Sequence, residues 1–278
     1  MAAGQSDDRG HPPAAPPHRR WSELTTEDFV GAGSWVAILP IAATEQHGPH
    51  LPTGTDAMIG DRLIEAALDA MPDDVPAVVL PSLPIGKSDE HANFPGTLTL
   101  SASTLVAMLV EIGESVARAG VERLVIMSAH GGNSEAMAIA ARDLRRRCAM
   151  VVVATSWARM GQPEGLFDAA ELRHGIHAGD VETSLMLHLA PDQVQRHRAR
   201  NFVSRGLAME RDFAVLRATG PTGFGWLAED LNGEGACGDA SVASADKGSA
   251  AARHAVARFI TLLGEVSRFT LEPPARSR

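Results

Sequence analysis

Short apolar runs alternate along the chain with longer stretches of helical period. Strand-like residues concentrate at 35–40, 77–83, 123–128 and 150–156, each the length of a buried strand. Between them, residues 104–119 set Leu105, Met108, Leu109, Ile112 and Val116 on one helical face, and Gly120 follows where a C-terminal cap belongs. Residues 133–146 read as a helix too, with Asn133 at the cap position and Arg145, Arg146 and Arg147 near the negative end of its dipole. Further helices are expected at 57–70, 181–189 and 250–266. Strand and helix in this alternation require crossover connections, and so predict an α/β fold with a mainly parallel sheet covered on both faces.

Composition narrows the picture. The chain has 278 residues, 45% hydrophobic and 21% charged, enough for one well-buried domain. Residues 1–20, rich in Pro, Ala, Gly and charge, read as a disordered tail, and residues 21–278 as the domain. The Gly-rich stretch 205–246 reads as a long functional loop. The chain shows no run long enough to cross a bilayer and no secretory signal at its start, so a cytoplasmic protein without a membrane partner is expected. Two cysteines, Cys148 and Cys237, cannot build a disulfide framework. A formal charge of −9 argues against nucleic acid as a partner.

In parallel sheets the reactive crevice lies beyond the carboxyl ends of the strands, and here those ends carry acids and imidazoles. After the first strand come Glu45 and His47, two apart and so on one side of an extended segment, then Asp56 at a helix start, where capping is its ordinary role. After the second come Glu90 and His91, as fit for acid/base work as for holding a loop. After the third, His130 precedes Gly131 and Gly132, whose lack of side chains lets backbone N–H groups approach a substrate oxygen. After the fourth, His177 and Glu182 straddle the start of a helix. Each segment alone is equally a polar loop or a capped helix. Four together ask for a metal centre, with one carboxylate bridging a pair of divalent ions.

These segments resemble the creatininase (creatinine amidohydrolase) family over nearly all of the chain after the tail. The matching pieces are LPIAATEQHGPHLPTGTD, FPGT, AHGGN, HAGDVETSLML and GDASVASADKG. The resemblance implies a three-layer α/β/α sandwich and a two-metal amidohydrolase acting on an amide, cyclic amide or formamide. It implies that Glu45 and His130 hold one ion, His47 and Glu182 the other, and that Asp56 bridges them. The ions would be Zn2+ or Mn2+, with Fe2+ in some relatives. His177 matches a histidine that contacts substrate and shuttles a proton, and Trp157 matches an aromatic position near the pocket.

Three positions depart from the family pattern. Creatininases follow the histidine at position 130 with a tyrosine and a catalytic glutamate, where this chain has Gly131 and Gly132. A tryptophan upstream of the substrate histidine gives way to Arg173. Another group must then move the proton, with His177, Glu90 and His91 as candidates. Relatives of the HGGN type include formamide hydrolases and the peptidase of mycofactocin maturation, so processing of a short peptide is a second expectation. A metal-containing binding protein without turnover is a third. Phe224 and Trp226, within 220–238, read as an apolar wall or an oligomer contact. The resemblance implies a homo-oligomer, with a hexamer in keeping with the family.

Overall fold

Four strands pair in parallel in the order β2-β1-β3-β4: β1 (Val36–Ile41), β2 (Ala77–Val79), β3 (Arg123–Ser128) and β4 (Val151–Ser156). The computed structural model describes residues 15–271. Central β1 is buried along its whole length, which explains why it reads as a continuous apolar run and not as an alternating one. Its successive residues feed opposite layers. Val36 and Ile38 pack with Val125 and Met127 under α1 (Thr55–Ala70), α5 (Asp180–Leu189) and α8 (Ala245–Arg268). Ala37 and Leu39 pack with Leu124 and Ile126 under α2 (Ala102–Arg118) and α3 (Ser134–Cys148). The expected three-layer sandwich is thus present, with a parallel sheet at its centre.

The helix termini show which local signals operate. Ser101 caps α2 by accepting a hydrogen bond from Thr104 N at 3.2 Å, and Gly120 beyond its end adopts φ +88°. Asn133 stands before α3 but does not cap it. Its side chain instead accepts from Lys87 N at 2.9 Å and donates to Ala42 O at 3.1 Å, tying the loops after β1, β2 and β3 together.

Three expectations are corrected. The second strand is shorter than 77–83, because prolines at 81 and 84 lack the N–H that would continue the ladder. The stretch 205–246 is not one loop: it contains α6 (Arg205–Asp212), capped by Ser204, the short α7 (Ala228–Leu231) and β6 (Gly238–Asp239). That last strand pairs antiparallel with β5 (Asn201–Phe202). The tail expected over 1–20 falls outside the described residues as far as position 14. Beyond it, Arg19 and Arg20 already pack: Arg19 O accepts from Val79 N at 2.8 Å, and the Arg20 guanidinium pairs with Glu65. Among the described residues, no helix is long and apolar enough to cross a membrane.

Candidate metal centre

The carboxyl ends of β1 and β3 lie side by side, and Ala129 N donates to Ile41 O at 2.9 Å. The chain leaving β1 turns so that Glu45 and His47 enter the same buried cluster, while Thr53 O accepts from Glu45 N at 2.9 Å. Asp56 lies in the first turn of α1, after Gly54 at the cap position, and its side chain faces the cluster instead of capping the helix. Ala178, directly after His177, is held at φ +55°, a left-handed conformation costly for a residue with a Cβ. Its N–H donates to Glu182 Oε2 at 2.5 Å, which folds that carboxylate back toward the centre.

Asp56 stands between two imidazoles. Its Oδ1 lies 3.2 Å from His47 Nε2 and its Oδ2 3.4 Å from His130 Nδ1. On the His130 side, Glu45 Oε2 comes within 3.3 Å of His130 Nε2. On the His47 side, Glu182 Oε2 comes within 3.9 Å of His47 Nε2. Ligand atoms of Glu45, Asp56 and His130 fall within one metal-sized group, and those of His47, His177 and Glu182 within a second. Glu45, His91 and His177 form a third, adjoining group. Glu45 is 0% exposed, yet both its carboxylate oxygens, and Oδ2 of Asp56, lack a hydrogen-bond partner. Buried, unpartnered carboxylate oxygens are costly, and a cation is the partner that fits them. The donor set of carboxylates and imidazoles suits Zn2+, Mn2+ or Fe2+.

The electrostatics match a cation-binding cluster. Burial pushes the Glu45 carboxyl up to about 8, aided by Asp56 and opposed by His130 and His47. Burial would depress His47, but the charge and hydrogen bond of Asp56, with Glu182 and Glu45, raise it to about 10. His130 is raised in the same way to about 9, against burial, by Glu45, Glu90 and Asp56. Burial also opposes ionisation of Glu90, yet contact with His130 and the nearby Lys87 bring it down to about 2, so it stays a carboxylate. Burial keeps His91 at about 4, and burial together with His47 holds His177 well below the usual range.

Above the cluster opens a cavity of about 670 Å³, lined by Asp56, Glu90, His91, His130, Gly131, Gly132, His177 and Glu182. Phe224 and Trp226 form part of its wall, as the aromatic content of that segment led one to expect. Trp157 does not line it. That ring lies 5.0 Å from Phe259, edge to face in the core beneath β1, so its expected contact with substrate is replaced by a packing role. Arg173 lies outside this cavity, with Nε 3.5 Å from Glu210.

Residues that the motifs did not single out complete the site. Gln46 lies buried between His91, His177 and Gly235, and Lys87 is the cation lining the cavity. Glu171, on α4 (Ala169–His174), accepts from Asp180 N at 2.7 Å and Asp239 N at 2.9 Å, and so anchors the start of α5. Only Gln46 had a signal in the sequence: alternation in an extended segment turns it away from its neighbours' side.

The model for the creatininase family (creatinine amidohydrolase) matches residues 22–263. The chain belongs to the creatininase family. It is 37% identical over 161 residues to the mycofactocin precursor peptide peptidase of Mycolicibacterium smegmatis, covering 57% of this chain and 60% of that protein. It therefore spans about three fifths of the length of that curated relative. It is 35% identical over 195 residues to the creatinine amidohydrolase of Pseudomonas putida, covering 63% and 74%. A crystal structure of creatinine amidohydrolase superposes with a TM-score of 0.71 at 26% identity, covering 91% of this chain and 100% of that one. Solved creatininases include a zinc–zinc form of a mutant and a manganese form.

Proposed function

We propose that this creatininase-family chain is an amidohydrolase that depends on two divalent cations. The observation that carries the proposal is Asp56, whose two oxygens face His47 and His130 from between them. Glu45 and His130 would hold one ion, His47 and Glu182 the other, and Asp56 would bridge them. Bound there, Zn2+ or Mn2+ supplies Lewis acidity, lowering the pKa of water and polarising a carbonyl oxygen.

The remaining groups divide the work of binding and proton transfer. With His130 given over to a cation and no longer an imidazolium holding it down, Glu90, at the cavity wall 3.4 Å from His130 Nε2, would accept a proton from water and deliver it to the departing nitrogen. His177 lies in ring contact with His47, centroids 4.2 Å apart, and steadies the amide or relays the proton. His91 supports Glu45 from 3.4 Å. Gly131, with nothing within 4 Å of where a Cβ would stand, leaves the cavity wall open to an approaching amide, while Gly132 gives its space to Glu90, and Phe224 and Trp226 exclude water.

Cavity size favours a peptide over a small cyclic amide. A creatinine-sized ring fills only a small part of about 670 Å³, and a second cavity of about 370 Å³ shares Ile176 and Thr219 with the first. A short peptide fits that run, in keeping with the named activity of the M. smegmatis relative. Exposed Val203, Leu207, Phe213, Val215 and Leu216 lie along one stretch of chain and support self-association into a homo-oligomer. Metal analysis followed by assay against creatinine, formamides and short peptides tests the proposal. Turnover of peptides alone is the expected result; a metal-loaded protein inert toward all three classes would overturn it.

A further inference from the structure

Gln46 sits between the two motif residues Glu45 and His47, and its side-chain orientation is fixed from both ends. Its Oε1 accepts from Gly48 N at 2.9 Å, and its Nε2 donates to Gly235 O at 2.7 Å. The flipped amide would set carbonyl against carbonyl at Gly235 and N–H against N–H at Gly48. The main chain at Gly235 comes close because it has no side chain: at φ +80°, a Cβ there would stand 2.3 Å from Gln46 Oε1.

With the amide so oriented, its second hydrogen points at His91 Nδ1, 2.7 Å away. That ring nitrogen must accept, so the proton of His91 sits on Nε2, which faces Glu45 Oε1 at 3.4 Å. His177 is set by the main chain of the same residue. Its Nε2 lies 2.7 Å from Gln46 O, an acceptor only, so Nε2 carries the proton and Nδ1 presents a lone pair toward the centre, 3.7 Å from Glu45 Oε1. The 3.3 Å approach of Gln46 Nε2 to His177 Nε2 is then a contact between two donors, compelled by the shared geometry.

We infer that Gln46 is a positioning residue that sorts the two histidines into opposite roles. Its side chain puts the His91 proton on Nε2, so that this nitrogen faces Glu45 as an N–H and cannot ligate, and its carbonyl leaves His177 an acceptor through Nδ1. The third group of possible ligands, Glu45, His91 and His177, is thereby withdrawn from metal binding, and Glu45 is aimed at its own ion. The assignment of tautomers stands on hydrogen bonds; the use of His177 in catalysis rests on the amidohydrolase reading above.

Long-range proton–nitrogen correlation spectra of the histidine rings in the zinc-loaded full chain test this. Wild type is expected to show both His91 and His177 protonated at Nε2. Gln46→Met should release His91 into a tautomer mixture and leave His177 as it was, since only the side chain changes. Gln46→Glu should move the His91 proton to Nδ1. A wild-type His91 carrying its proton on Nδ1 would overturn the inference without any variant, as would a Gln46→Met spectrum with His91 unchanged. Absence of turnover with the tautomers as stated would instead count against the amidohydrolase reading alone.

Discussion

A Cβ placed on Gly132 would stand 2.2 Å from Glu90 Oε1. The carboxylate of Glu90, carried by the loop after β2, thus occupies the space into which a side chain at position 132 would project. On the proposed reading Glu90, arriving from another strand end, would do the work of the family's catalytic glutamate, and the glycine at 132 leaves it room.

Two substitutions separate the parts of this relationship. Glu90→Gln should leave metal content unchanged and lower kcat by roughly 10²- to 10⁴-fold, the ordinary worth of a positioned proton-transfer group. Gly132→Ala should lower metal content as well, because its Cβ also meets His130 Nε2 at 2.4 Å and the backbone oxygen of Lys87 at 2.7 Å. Steady-state kinetics with metal analysis on both variants checks this; equal metal loss in the two would contradict it.

Metal affinity should rise with pH. In the ligand-free chain His47 and His130 are held protonated up to about 10 and about 9, and Glu45 up to about 8, so binding must displace protons. Each proton displaced should tighten binding by about tenfold per pH unit between roughly pH 6 and 8. Competition with a chelator across that window measures it, and a flat profile would contradict the ligand assignment.

Removing the metals should destabilise the fold, since it leaves both carboxylate oxygens of Glu45 and Oδ2 of Asp56 buried without partners. Ligand saturation at about a thousand times Kd contributes about 4 kcal/mol, so Tm should fall by on the order of 10 °C on chelation. Scanning calorimetry with and without chelator reads this directly.

Glu171 is structural by the same logic. Glu171→Ala would orphan the N–H groups of Asp180 and Asp239, a loss of about 2–4 kcal/mol. The shift in denaturation midpoint should be accompanied by weaker binding at the Glu182 side, because α5 loses its anchor. Metal titration of the folded variant checks the second effect.

Continuous apolar runs made the four strands legible, because a sheet covered on both faces buries successive residues alike, and apolar periodicity made the five main helices legible, because each buries one face. Trp157 shows where that legibility ends: an aromatic residue just past a strand fits pocket and core equally, and only packing against Phe259 decides. Glu171 was invisible for a similar reason. Its partners are backbone N–H groups far away in the chain, which carry no residue-type signal. From residue type alone Asp56 read as a cap because helix starts attract aspartate; the bridging role came from the resemblance, and the imidazoles on either side supply the geometry it calls for. The interruption of 205–246 by α6 was hidden by glycines, of which Gly206 lies within the helix itself.

The most direct test is metal stoichiometry, measured by mass spectrometry on the reconstituted wild type and on Glu182→Ala and Asp56→Asn. About two divalent ions per chain are expected in the wild type, about one in Glu182→Ala, and fewer than two with loss of turnover in Asp56→Asn. A wild-type chain that binds fewer than one ion after reconstitution, or a Glu182→Ala variant that keeps both, would contradict the two-metal centre.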